Sequence, residues 1–173
     1  MRRHYSGPVL LVEGTIRDDA GKPIPGADLD IWQTSPNGIY ASQDEEQDTF
    51  SFHGIMTVGK DGKYAFTTVK PVEYTVPSDG PVGDILRACG RHPWRPSHLH
   101  YIVKATGYRT LVTEIFPDDD PYLDQDTVVG VRDDLVMTYV QKPPSKFPEG
   151  MALSKSIKEP FLHVKFDVTL ATA

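Results

Sequence analysis

In the stretch "RPSHLH", Arg95 to His100, two histidines stand two residues apart, an arginine precedes the first by three, and the apolar "YIV" follows. Side chains at i and i+2 of a strand share a face. His98 and His100 therefore project together, with Ile102 next in line, while Leu99, Tyr101 and Val103 face the other way, into a core. Two imidazoles on one strand are half of a metal site, one that fits zinc hydrolases and iron enzymes alike. Hydrogen-bonded histidines without chemistry are the plain alternative. The other half must come from elsewhere. His4, His53, His92 and His163 are scattered, and carboxylates are too common to choose among. Two tyrosines stand out because turn residues surround them: Tyr40 in "SPNGIYAS" and Tyr74 in "KPVEYTVPSDGPVG". Periodicity assigns neither to a strand core, and each taken singly is readable as a packed loop tyrosine.

The elements that must position these residues are mostly strands. "PVLLVEGTI" and "ADLDIWQ" flank the turn-rich "RDDAGKPIPG", and "KYAFTTVK", "HLHYIVK", "RTLVTEIF" and "FLHVKFDV" add four more. In the last, Leu162, Val164, Phe166 and Val168 alternate with Phe161, His163, Lys165 and Asp167, a period of two. "DLVMTYV" is a seventh candidate that also suits a helical opening. Helix is scarce: "VGDILRACG" fits two turns closed by Gly90. Fifteen prolines and fourteen glycines punctuate the short segments. The expected fold is all-β, a two-sheet β-sandwich with long loops and one or two short helical turns. With no repeat and no linker, residues 1–173 are read as one domain.

Bulk properties exclude several classes. A net charge of −6 argues against a nucleic-acid partner. One cysteine, Cys89, rules out an intrachain disulfide framework and a Cys-rich zinc site. No apolar run reaches a membrane span. The start, "MRRHYSGPVLLVEG", has too short an apolar run for a signal peptide. A soluble cytoplasmic protein is the expectation. The acidic run "PDDDPYLDQD", Pro117 to Asp126, lacks the spaced ligands and glycine of a calcium loop and reads as a solvated loop.

Tyr40, Tyr74, His98 and His100 occur in the order and approximate spacing of the iron ligands of intradiol ring-cleaving dioxygenases. The segments "DIWQTSPNGIYA", "GKYAFTTVKPVEYTVPSDGPVG", "GRHPWRPSHLHYIV" and "DPYLDQDTVVGVRDDL" each resemble a family segment, from about Val12 to about Val140. The resemblance implies a β-sandwich with non-haem Fe(III) at one end. Tyr40 and His98 would stay in the equatorial plane, Tyr74 and His100 would be axial, and a hydroxide usually completes the set. Phenolate and imidazole are hard to borderline donors that suit Fe(III). The implied reaction inserts both atoms of O2 into a catechol-type ring between its hydroxyls, giving a cis,cis-muconate-type diacid. Tyr74 would leave the metal and accept a substrate proton. Arg95, charged at every working pH, would stabilise negative charge on the ring. Pro77, Asp79, Gly80, Pro81, Arg95 and Glu114 are the substrate contacts implied.

The chain departs from the family pattern at three points. Ser97 sits where alanine is usual. Glu114, in "VTEIF", occupies a position where Gln or His is common. The family's N-terminal helical region is not in this chain, so a homodimer formed through an uncovered face is expected, with Val9, Leu10 and Leu11 as contacts. Two other readings remain: a non-catalytic transthyretin-like binding module, and a zinc hydrolase using His98 and His100. Only an Fe(III)–tyrosinate protein among the three is coloured.

Overall fold

The computed structural model describes residues 7–173. His4 and the basic start of the chain lie outside the described residues. Among the described residues twelve strands form: β1 Val9–Asp18, β2 Asp28–Trp32, β3 His53–Thr57, β4 Lys63–Val69, β5 Tyr74–Thr75, β6 Trp94–Arg95, β7 Leu99–Lys104, β8 Leu111–Pro117, β9 Val136–Met137, β10 Val140–Lys142, β11 Phe161–Lys165 and β12 Val168–Leu170. One helix, α1 Pro81–Ala88, and four 3-10 turns complete the set. β3 falls on "HGIMT", whose two small or polar leading residues hide it from a hydrophobic-pattern reading.

The strands form two five-stranded sheets and a two-stranded ribbon. In the first sheet β1 pairs antiparallel with β4 along one side. Along the other it pairs parallel with β11 and then with β12. The handover lies at Gly14, where any Cβ would meet the Phe166 carbonyl oxygen at 1.8 Å, so only glycine fits. The expected single strand "FLHVKFDV" is thus broken at Phe166–Asp167. Asp167 turns its carboxylate to accept from Thr15 N at 2.8 Å. The second sheet runs β3-β2-β7-β8-β9. Its inward residues Leu29, Ile31, Leu99, Tyr101, Val103 and Ile115 pack on Leu10, Val12, Ile16, Val164, Phe166 and Val168 of the first. This is the expected β-sandwich.

Leu10 and Leu11 are 0% and 2% exposed. Leu10 belongs to the main core, and Leu11 to a smaller cluster with Phe147 and Phe161. Because β1 is covered on both faces, neither leucine is free to contact a second copy, which removes Leu10 and Leu11 from the expected contacts. The expected helix forms as α1, entered through Gly80 and Pro81 and closed by Gly90 at φ 65°. Among the described residues no helix is long and apolar enough to cross a membrane.

Candidate metal centre

β7 is the middle strand of the second sheet, flanked by β2 and β8. His98 immediately precedes it and is 3% exposed; His100 is half-buried. His98 Nδ1 lies 2.7 Å from the Pro96 carbonyl oxygen, an acceptor, so Nδ1 carries the proton and Nε2 is left with a lone pair. Burial, aided by the Arg95 charge, pushes the His98 pKa down to about 4. Burial and His98 push His100 down to about 3. Both rings are neutral at ordinary pH.

The tyrosines arrive on loops. Tyr40 opens the 3-10 turn Ala41–Gln43. Its approach is tied by Ser35 Oγ donating to the Ile39 carbonyl and by Gln47 Nε2 donating to Ser35 Oγ and the same carbonyl. Tyr74 sits opposite Arg95 in the β5–β6 ribbon. The Tyr40 hydroxyl is 3.0 Å from the Tyr74 hydroxyl and 2.9 Å from His100 Nε2, which is 3.1 Å from His98 Nε2. Burial and the neighbouring Tyr74 raise the Tyr40 pKa well above that of a free phenol.

Four donor atoms thus line up at about 3 Å intervals. Neighbouring ligands of an ion bonded at about 2.0–2.1 Å lie roughly this far apart. The two Nε2 atoms sit close enough to be bridged by the Nε2 proton of one neutral ring, or by a cation that replaces that proton. His98, His100 and Glu114 also each bring one donor within 4.8 Å of the others. This donor set is consistent with a mononuclear non-haem Fe(III) site. Glu114 faces His100 across the β7–β8 ladder. Its Oε2 lies 3.4 Å from His98 Nε2 and 3.7 Å from His100 Nδ1, buried and without a hydrogen-bond partner.

Arg95 is 6% exposed. Its Nη1 is 3.1 Å from His98 Nε2, its Nη2 donates to Glu114 Oε1 at 2.8 Å, and Nε and Nη2 both donate to Asp126. Burial acts to lower its pKa but is outweighed by Asp126 and Glu114, so the guanidinium stays charged.

Tyr40, Tyr74, Arg95, His98, His100 and Glu114 therefore meet. Pro77, Asp79, Gly80 and Pro81 form the entry to α1, and no described hydrogen bond joins them to this cluster. A cleft of about 440 Å³ opens beside Tyr74, lined by Gly38, Ile39, Val72, Thr75 and Trp94. A more apolar cleft of similar size lies beside Trp32, and none of the four donor residues lines it.

Sequence reasoning missed three supports. Trp32 pairs with His100 across β2–β7 and stacks on its ring at 4.6 Å and 9°. The period-two pattern of β2 puts Trp32 on the outer face, but only the register shows what it covers. The acidic run expected to be solvated also carries structural acceptors. Asp120 Oδ2 accepts from Ser97 N and Oγ at 2.8 and 2.7 Å, and Asp126, 5% exposed, holds Arg95. In both cases a fixed donor from the β6–β7 segment draws the carboxylate out of water.

The dioxygenase family model matches residues 2–172. The chain belongs to the intradiol ring-cleavage dioxygenase family. It is 48% identical to the hydroxyquinol 1,2-dioxygenase of Rhizobium sp. (strain MTP-10005) over 134 residues, which are 77% of this chain and 45% of that protein. It is 41% identical to the hydroxyquinol 1,2-dioxygenase of Nocardioides simplex, over 97% of this chain and 56% of that one. The crystal structure of hydroxyquinol 1,2-dioxygenase from Pseudomonas putida DLL-E4 superposes with a TM-score of 0.88 at 40% identity, covering 97% of this chain and 58% of that chain. The chain spans about half the length of the curated relatives it matches.

Proposed function

We propose that this chain is the catalytic sandwich of a dioxygenase that opens a catechol-type ring between its two hydroxyls, using O2 and Fe(III) held by Tyr40, Tyr74, His98 and His100. The observation that carries this reading is the row of two phenol oxygens and two imidazole Nε2 atoms at 2.9–3.1 Å spacing. A zinc hydrolase would leave both phenols idle, and a binding module would need none of the four.

When bound, Fe(III) supplies the Lewis acidity and the unpaired electrons that let a closed-shell catechol react with ground-state O2. The side chains do the rest. His98 and His100, neutral, one just before and one within the middle strand of a sheet, would hold the metal throughout. Tyr40, whose pKa is raised, would lose its proton to solvent only where a highly charged cation takes the proton's place on the phenol oxygen, so metal loading would release protons. Tyr74, on a two-residue ribbon, is the donor able to turn away and take a substrate proton on its phenol oxygen. Arg95 places a permanent positive charge against the site, where negative charge builds on the ring as oxygen attacks. Both oxygen atoms enter the product, the bond between the hydroxyl-bearing carbons breaks, and two carboxylates result.

Likeness to the Rhizobium and Nocardioides enzymes supports hydroxyquinol as the first substrate to test, ahead of catechol and chlorocatechols. The test is metal analysis and a visible spectrum of the purified chain, followed by oxygen uptake and product analysis with each ring. One iron per chain, a phenolate-to-iron absorption band and a ring-opened diacid are expected. A colourless chain that takes up zinc, or no oxygen uptake by the iron-loaded chain, would overturn the reading.

A further inference from the structure

The Asp126 carboxylate does more than neutralise a neighbour. Each of its oxygens accepts two hydrogen bonds, one from the guanidinium and one from the backbone. Oδ1 accepts from Arg95 Nε at 3.1 Å and Val128 N at 3.2 Å; Oδ2 accepts from Arg95 Nη2 at 3.2 Å and Gly130 N at 2.9 Å. The Asp126 carbonyl accepts from Val129 N and from Arg91 Nη2. The turn 126–130 is thus wound around one carboxylate. The winding holds Val129 at φ 56°, a conformation that branched L-residues rarely adopt. Gly130 completes the fit, because a Cβ there would lie 2.7 Å from Glu114 Oε1 and 2.9 Å from Arg95 Nη2.

Glu114 engages Arg95 at one point, through a short bond of 2.8 Å, where Asp126 engages it at two. Only Oε1 is engaged, and Oε2 is buried with no hydrogen bond. A guanidinium free to choose would take both oxygens of one carboxylate, the stronger two-point geometry. With Asp126 in place, the Nε edge of Arg95 is occupied and Nη1 is left pointing at His98 Nε2, 3.1 Å away. Nη1 has no lone pair for a metal, so once His98 Nε2 is a ligand Nη1 is a spare donor beside the coordination sphere.

We propose that Asp126 is a positioning residue that keeps Arg95 from closing onto Glu114, so that Nη1 faces the metal and its substrate. The proposal rests on the dioxygenase reading above for its effect on turnover, but not for the clamp itself. In Asp126→Asn the amide NH2 must face a guanidinium N–H and a backbone N–H together, donor against donors, so Arg95 is released and Glu114 captures it.

Two measurements test this. The first is hydrogen exchange of the Arg95 Nε–H by NMR on the metal-free chain, assigned by its loss in Arg95→Lys. It should be protected by roughly a hundredfold or more against a free arginine, since opening must break two buried charge-assisted bonds. Exchange at the free rate overturns the clamp, whether or not Asp126→Asn folds. The second is kinetics of the iron-loaded Asp126→Asn chain. We expect unchanged iron content and visible band, a KM for the ring within about twofold, and kcat lower by roughly tenfold or more, a part of the roughly hundredfold lost when such a donor is removed outright. Adding Glu114→Gln should recover at least about threefold of that kcat relative to Glu114→Gln alone, because the competing carboxylate is gone. A merely structural Asp126 predicts no such recovery, and its absence, or a wild-type kcat in Asp126→Asn, sinks the proposal. A wild-type chain that cleaves no ring would instead refute the function, leaving the exchange result to judge the clamp.

Discussion

His98 and His100 stand at the head of the middle strand of a sheet, with paired strands on both sides, Trp32 stacked on one ring and Phe116 packed on the other. Tyr40 and Tyr74 reach the same point from a three-residue turn and a two-residue ribbon, both half-buried. The difference separates holding from releasing. His100, built into a ladder, cannot leave without breaking the sheet, and His98 beside it is held by the Pro96 carbonyl, whereas a donor on a ribbon moves at the cost of a few local contacts. A site that must bind a metal firmly and also open a position for substrate needs both kinds.

The comparison breaks most severely at the fixed half. His98→Ala should abolish iron retention and the visible band while circular dichroism still reports the sandwich, because the inward face of β7 is untouched. Full iron occupancy in that variant would remove His98 from the ligand set. Arg95→Ala comes next. It should keep iron, since guanidinium is no ligand, yet lower turnover by on the order of a hundredfold. It should also destabilise the fold by about 3–5 kcal/mol, because the Asp126 side chain, 2% exposed, loses its charged partner. Denaturant titration and steady-state kinetics check the two effects separately. Tyr74→Phe probes the mobile half. Iron should remain, with a weaker and shifted band as one of two phenolates is lost, and proton release on metal loading should drop. An unchanged spectrum would mean that Tyr74 is not a ligand.

The smallest expected effect is on metal-free stability against pH. The folded pKa values of about 4 for His98 and about 3 for His100 lie below the unfolded value of 6.5. The unfolded chain therefore binds more protons as pH falls below 6.5. Stability contributed by the two neutral rings is full above 6.5 and is lost as pH falls toward 4 and 3. The Tm of the metal-free chain should decline across that window, and less steeply in His98→Phe.

What was legible in the sequence follows the same divide. Period two alone places His98 and His100 on one face and Leu99, Tyr101 and Val103 on the other, since strand geometry leaves no other choice. The tyrosines stand out by their turn-rich surroundings, but only the resemblance makes them ligands, because irregular loops have no period to read. Asp126 and Asp120 are hidden by composition: inside "PDDDPYLDQD" nothing local distinguishes a solvated carboxylate from one drawn inward by Arg95 or Ser97. The break at Gly14 and Phe166 is likewise invisible, because the apolar alternation of "FLHVKFDV" runs through it while the backbone changes course along β1.

The spacing of the four donors along the chain has a mechanical meaning. Tyr40 lies 34 residues from Tyr74 and 60 from His100. A metal joining them is a cross-link that closes long loops, and closing such loops restricts the motion of everything between their ends. The segment just after Tyr40, where Phe50 is 72% exposed, is tethered on one side by that cross-link and on the other by β3. Iron should therefore shield the bond after Phe50 from chymotrypsin, and chelation should expose it, so that proteolysis reports the state of a centre several segments away.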